Sequence, residues 1–440
     1  MNCNRYPRWS LRAIPGAAFL LAVTLLSACG GGGTSAPMSQ GATSSTPPSS
    51  GSSTTATPPA VTAAQEHKTA VPASLMSADN SFGLQLFALL EKDSGVTNVA
   101  ISPTSIALVL QIIQNGAVGA TQQAMLQTLQ LSGTSIASIN TANAALQAAL
   151  INPDPNITLT AANSLWMHLA ENSVQPAFTQ TNETYYDAFI GDLAGAPADV
   201  NAWISQATDG LITNIMPPLD MTNEVAVIVN ALYFKGAWTT PFDADLTAAA
   251  TFTRSDGSSV PCEMMQQSST FDYFRGSAVQ VLRIPYGTGA KMSMLIVLPD
   301  AASGLDTLIA GLTPDLIDGW VAQLASEQGT IALPRFTSSY GASLPPALSA
   351  LGMGIAFNPA TADFSGIAPQ VYLSDVEHKT VVEVDESGTT AAGGTSGSIG
   401  ITGVGQAQFS MTMDHPFFYA IRDDSTAALL FIGALQTPGT

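Results

Sequence analysis

Positive charge is scarce in this chain: 13 Lys and Arg stand against 32 Asp and Glu in 440 residues, a formal net charge of -19. Nucleic acid and anionic surfaces repel such a chain, and no Lys/Arg cluster offers a site for a heparin-like polyanion. Histidine is scarce too, limited to His67, His168, His378 and His415. No H-E-x-x-H, paired C-x-x-C or G-x-S-x-G motif occurs, so the common signatures of zinc, redox and nucleophile-elbow enzymes are missing and no metal or cofactor is expected. Asp414-His415-Pro416 reads as a turn before a strand, not as a catalytic pair. The most local absence lies near the C-terminus, where "SGTTAAGGTSGSIGITGVGQAQFSMTM", Ser387 to Met413, contains no charged residue. A loop in water has no obvious reason to avoid Lys, Glu and Asp for so long.

Cysteine is rarer still, with three in all, Cys3, Cys29 and Cys262. Arg5, Arg8 and Arg12 precede an apolar run from Ala13 to Leu26 that ends in "LSAC", which reads as a secretory signal over residues 1–28. The run is too short to span a bilayer comfortably. "LSAC" resembles the lipobox of bacterial lipoproteins, so Cys29 is expected to be lipidated, with an ordinary signal peptide as the alternative. Loss of three Arg and no acid takes the charge from -19 to -22. Only Cys262 then remains unmodified, so the processed chain has no intramolecular disulfide, and Cys262 reads as a small buried hydrophobe. Residues 29–72 are Gly, Ser, Thr, Ala and Pro with few large apolar side chains, which describes a flexible tether.

From residue 73 to 440 there is no second linker, repeat or composition break, which indicates one large domain. "SADNSFGLQLFALLEKD" (77–93) places Phe82, Leu86, Leu89 and Leu90 on one helical face after an Asp or Asn cap, and "SIALVLQIIQNGA" continues helical after Ser102-Pro103. Strands are expected at 224–234, 278–286, 291–299, 371–376, 379–384, 417–423 and 427–435. Helices early and strands late point to an α+β fold.

Beyond these patterns, "NVAISPTSIALVL" (98–110), "NGAVGATQQAML" (115–126), "AANSLW" (161–166), "ITNIMPPLD" (212–220), "LYFKGAWTTPF" (232–242), "HKTVVEVDESGTTAAG" (378–393) and "DHPFFYAI" (414–421) closely resemble, in order and spacing, the signature stretches of the serpin family. The resemblance covers residue 75 to the end. It implies three β-sheets, eight or nine helices and an exposed reactive-centre loop over about 386–410. It further implies a hinge at Glu386, Gly388, Thr389, Ala391, Ala392 and Gly393, and a polar shutter of Ser102, Ser105, Asn163, Asn230 and His378. At the top of the central sheet it implies a breach of Trp238, Arg335 and Glu386, with Arg335 paired to Glu386.

An inserted loop becomes a central strand whose alternate side chains meet the core. Counted from Glu386, the inward set is Thr389, Ala391, Gly393, Thr395, Gly397, Ile399 and Ile401, small or apolar throughout. A Lys or Asp there would cost several kcal/mol to bury unpaired. No proline, which would remove a ladder donor, lies between Glu386 and Asp414. The absence of charge thus fits a loop that lives first in water and then inside a sheet. Sixteen residues beyond Glu386 lies Thr402, so Thr402-Gly403 is the candidate reactive bond, with Ile401-Thr402 the alternative. The resemblance implies a suicide inhibitor of a serine protease, or of a cysteine protease, expected as a monomer; the lipobox and tether add the expectation that it is lipid-anchored on a bacterial envelope, preferably the outer membrane, or extracellular. A loop without a cation suits elastase-like or subtilisin-like targets. The rival readings are a non-inhibitory carrier or chaperone-like serpin, a surface adhesin and, last, an enzyme.

Overall fold

The computed structural model describes residues 70–439 except 93, 152–153, 169–173, 208–209, 211–212, 214–225 and 390–407. The expected signal, residues 29–69 of the expected tether with Cys29, and Ala391, Ala392, Gly393, Ile401, Thr402 and Gly403 therefore lie outside the described residues.

In chain order the elements begin with α1 (Ala73–Glu91), β1 (Val99–Ile101), α2 (Pro103–Gln114), α3 (Gly119–Thr128), α4 (Ile136–Leu150), β2 (Ile157–Met167), α5 (Pro176–Tyr186), β3 (Phe189–Asp192) and α6 (Ala198–Ala207). The middle of the chain forms β4 (Ala226–Ala237), β5 (Ala248–Thr253), β6 (Ser259–Arg275), β7 (Val279–Tyr286), β8 (Met292–Pro299), α7 (Leu305–Ala310), α8 (Pro314–Gln323), β9 (Ala325–Pro334), β10 (Phe336–Ser343) and α9 (Pro345–Leu348). The last part forms β11 (Asp375–Val384), β12 (Gly388–Thr389), β13 (Phe409–Thr412), β14 (Phe417–Asp423) and β15 (Ala428–Leu435). The fold is α+β, with nine α-helices among the described residues.

Backbone hydrogen bonds join the strands into two networks: β1-β15-β14-β8-β7-β6-β9-β13 with β5 on β6, and β10-β11-β12-β4-β2-β3. The three expected sheets appear as two networks because β6, 17 residues long, serves two of them. Its Met264–Tyr273 stretch pairs with β9, while Asp272–Arg275 pairs with β7.

The second network is the central sheet. It is packed on both faces, since neighbouring residues of β4 point to opposite sides: Ile228, Leu232 and Phe234 enter the main core, whereas Val227 and Val229 join Trp166, Val200 and Ile204 beneath α6. Strands β8, β14 and β15 are buried along their whole length, which is why they read as unbroken apolar runs.

Three sequence expectations need correction. Helix α1 starts at Ala73 after Pro72, with no side-chain cap, so Asp79 and Asn80 lie buried inside it. Leu89 is 36 % exposed while Leu84 and Phe87 are buried, because α1 packs against α2, β15 and α8 on several sides. Residues 371–374 form no strand; Leu373 N donates to Ala356 O and Ser374 N to Ala226 O, so the strand starts only at Asp375.

Candidate functional site

The central sheet is parted at one end. Strands β4 and β11 run parallel and pair directly from Val227↔Asp375 to Leu232↔Thr380, where their shared register stops. Above that point β12 sits between them, antiparallel to both, with Val384↔Thr389 on one side and Gly388↔Ala237 and Thr389↔Gly236 on the other.

The reversal that brings β12 back is a tight turn. Asp385 Oδ1 accepts from the backbone N–H groups of Ser387 (2.8 Å) and Gly388 (3.1 Å), the behaviour expected of an Asp opening a turn. Gly388 has φ +155°, and a Cβ there would lie 2.0 Å from the Gly236 carbonyl oxygen, so the seat of β12 admits only glycine. Thr389 is fully buried, and its hydroxyl lies 2.5 Å from that of Tyr286.

Trp238 braces this turn twice, its backbone N–H donating to Ser387 O and its indole N–H to Asp385 O, each at 2.9 Å. The indole stacks on Tyr286 at 4.4 Å with an 11° interplanar angle, and Phe234 meets Tyr286 edge-on at 5.0 Å. Glu386 is held at both ends: its carbonyl accepts from Phe242 N (2.9 Å), and Arg335 Nε donates to both carboxylate oxygens at 2.8 Å. Arg335 Nη2 and the Thr247 hydroxyl each reach Glu386 Oε1 at 2.5 Å. Burial tends to raise the Glu386 carboxyl, but the hydrogen bonds from Arg335 and Thr247 outweigh it and hold the group below its ordinary range. Arg335, Trp238 and Glu386 thus meet around the turn. Thr247 and Tyr286 complete the cluster without a sequence signal, since 139 and 103 residues separate them from their partners.

Six residues down β11 from Val384, about 20 Å at strand rise, lies a second polar group. Ser102 caps α2 by accepting from Ser105 N (3.2 Å), and its own N–H donates to His378 Nε2 (3.2 Å). An Nε2 that accepts leaves the ring proton on Nδ1. Burial pushes His378 down to about 3, so the ring is neutral at ordinary pH. Asn163, Asn230 and His378 stand in one row across β2, β4 and β11. Thr380 Oγ1 donates to Ala100 O at 2.6 Å, a further tie between β11 and the segment leading into α2.

Neither His415 nor Cys262 is placed for catalysis. His415 Nδ1 does face Asp414 Oδ1 (2.8 Å), but its Nε2 is taken by Pro299 O (2.7 Å), which leaves no nitrogen to act as a base. Cys262 is buried, and burial together with Glu263 and Asp414 raises its thiol, the opposite of nucleophile activation. The geometry is that of a sheet with an opening and two residues of a chargeless loop, Gly388 and Thr389, placed in it.

The family model for serpins, serine protease inhibitors, matches residues 77–438. The chain belongs to the serpin family. Among its relatives, Serpin-Z7 of Hordeum vulgare is 32% identical over 380 residues, covering 81% of this chain and 94% of the barley protein. Macrophage plasminogen activator inhibitor 2 of Mus musculus is 30% identical over 419 residues, covering 83% and 99%. Among solved structures, native tengpin, a thermophilic serpin, superposes with TM-score 0.76 at 28% identity over 82% of this chain and 94% of its own. Human thyroxine-binding globulin with its ligand gives TM-score 0.76 at 24% identity, over 83% and 99%, so the same serpin fold also carries a ligand binder.

Proposed function

We propose that this serpin is a suicide inhibitor of serine-type endopeptidases whose reactive-centre loop becomes a strand of the central sheet. The observation that carries the reading is the seating of β12 between β4 and β11. Where those strands meet directly they are parallel. An inserted strand replaces one parallel pairing by two antiparallel ones, which are somewhat more stable per residue, and adds a full ladder of hydrogen bonds. The loop composition suits that fate, because its inward set is small or apolar from Thr389 to Ile401.

The target protease serine attacks the carbonyl carbon of Thr402. The Thr402-Gly403 amide breaks, Gly403 leaves as a free amine, and an ester joins the inhibitor to the enzyme. Insertion of the freed loop then carries the acyl-enzyme away from where it formed before water can reach the ester. Residues of the breach hold the hinge in register, and those of the shutter yield as the sheet widens. Elastase-like or subtilisin-like enzymes are the expected targets, since the loop offers no cation to a trypsin-like pocket. A lipid at Cys29 and the tether behind it would place the inhibitor on a bacterial envelope; absence of acyl mass on the processed chain would defeat that part.

Residues 73–440 are to be mixed with elastase-like, subtilisin-like, chymotrypsin-like and trypsin-like proteases and examined on denaturing gels. The expected result is a covalent complex with the first two classes and release of a C-terminal peptide beginning at Gly403. Cleavage by every protease without a complex or a gain in heat stability would mean a carrier-type serpin instead.

A further inference from the structure

We propose that a buried amide–carboxyl network joining α1, α2, α4 and α5 is a second latch on the opening of the central sheet, set by the charge on Asp79. This rests on the reading of the sheet as one that expands.

The network is continuous. Gln111 Nε2 donates to Asp79 Oδ1 (2.8 Å), and Asn143 Nδ2 donates to Gln111 Oε1 and to the Tyr186 hydroxyl, the latter at 3.1 Å. The Tyr186 hydroxyl donates to Asn140 Oδ1 (2.6 Å), Asn140 Nδ2 to Asn115 Oδ1 (2.9 Å) and Asn115 Nδ2 to Asn182 Oδ1 (2.9 Å). Asp79, Gln111, Asn143 and Tyr186 are all at most 2 % exposed.

Chain connectivity decides what these bonds span. Strands β2 and β3 lie on the side of the opening that carries β4, and α4 and α5, which pack on each other, are joined to that side through the chain on either end of β2 and before β3. The other end of α2 is fixed to β11, through Ser102 N to His378 and Ala100 O to Thr380. A strand entering between β4 and β11 separates them by one further strand spacing, about 4.8 Å. Hydrogen bonds do not survive that stretch. Either the bonds at His378 break and α2 follows α4 and α5, or α2 stays with β11 and the network breaks.

The network is poorly suited to a purely structural role. Asn143 Oδ1 and Asn182 Nδ2 have no partner among the described residues, and an apolar cluster of the same shape would hold the helices better than a partly satisfied polar one. Asp79 is buried with Gln111 as its hydrogen-bond partner, and burial pushes its carboxyl up to about 8. Among the described residues no cation acts on Asp79: burial raises its carboxyl and only the Gln111 hydrogen bond opposes it, Arg422 of β14 being paired with Asp318 and Asp424. Helices α2, α4 and α9 and strands β1 and β15 carry no ionisable side chain. Asp315 and Asp318 of α8 and Glu183 of α5 are exposed, Tyr185 is half-buried, and burial keeps Tyr186 protonated. Once ionised, Asp79 gains from any movement that admits water, so the latch loosens as the pH rises through this range.

The test uses residues 73–440 nicked within the loop, with the rate at which the nicked chain becomes heat-stable followed from pH 6 to pH 9. The wild-type rate is expected to rise at least fivefold across that interval, to be flat in Asp79→Asn, and to be raised at all pH values in Asn143→Leu. Equal rates in all three proteins, or a wild-type rate independent of pH, would overturn the latch while leaving the inhibitory reading in place. No gain in heat stability on nicking wild type would overturn both. If Asn143→Leu fails to fold, the loss of pH dependence in the near-isosteric Asp79→Asn decides alone.

Discussion

His378 and Asp79 are both buried, and they make stability depend on pH in opposite senses. Folded His378 sits at about 3 against an ordinary 6.5, so the unfolded chain binds more protons between those values. Its contribution is complete above about pH 6.5 and is lost on acidification towards pH 3. Folded Asp79 sits at about 8 against 3.8, so the folded chain binds the extra proton, and stability declines from about pH 4 upward through pH 8. Each group contributes a slope of at most about 1.4 kcal/mol per pH unit. Denaturant unfolding of Asp79→Asn should therefore lose the part of the alkaline decline that runs up to about pH 8, leave the part due to Glu377, which burial and Asp375 raise to about 7, and keep the acid decline. At the breach, Arg335→Met leaves a largely buried Glu386 carboxylate with Thr247 as its remaining side-chain donor; the expected loss is about 1–2 kcal/mol, reduced by the 43% exposure of the Arg335 side chain, and denaturant midpoints would measure it. The pairing of Arg335 with Glu386 was legible through family motifs that stand in order along the chain. Thr247 and Tyr286 were not, since a lone Thr or Tyr far away in sequence acquires its role only by folding. Asp79 and Asn80 read as helix caps because Asp and Asn commonly open helices, and the propensity carries no information about burial.

At the scale of elements, β12 is the piece on which the proposal turns. Gly388→Ala drives a Cβ into the Gly236 carbonyl and adds strain at φ +155°, so β12 should leave its seat. Amide exchange at Trp238, whose N–H is held by Ser387 O, should quicken more than tenfold while amides of β8 and β14 stay protected. Thr389→Arg puts a cation into a fully buried position at a cost of several kcal/mol. The protein should then be cleaved as an ordinary substrate, with more than ten molecules consumed per protease inactivated. The elements differ in how far sequence announced them. Strands β8, β14 and β15 were plain as apolar runs, whereas β6 alternates exposed and buried residues along much of its length and sits partly at an edge, so its 17 residues gave no such run. The segment 371–374 has strand-like composition but lies where turns from α9 approach β11, and composition does not show whether a partner strand is there.

On the proposed inhibitory function, the molecule as a whole is a fold held short of its most stable arrangement. Helix α2 packs against β15 of one strand network and β4 of the other, and the second network keeps an opening in which two residues of the loop already rest. The fold class followed from patterning and family resemblance together, while the opening itself required coordinates, because strand pairing across 148 residues, from Leu232 to Thr380, leaves no local trace. The most direct measurement compares intact and loop-nicked protein by thermal unfolding alongside denaturing gels of the mixture with an elastase-like protease. The account predicts a covalent complex, a released peptide starting at Gly403, and a nicked form that unfolds at least 20 °C above the intact one. A nicked form no more stable than the intact protein, with the protease left active, would contradict it.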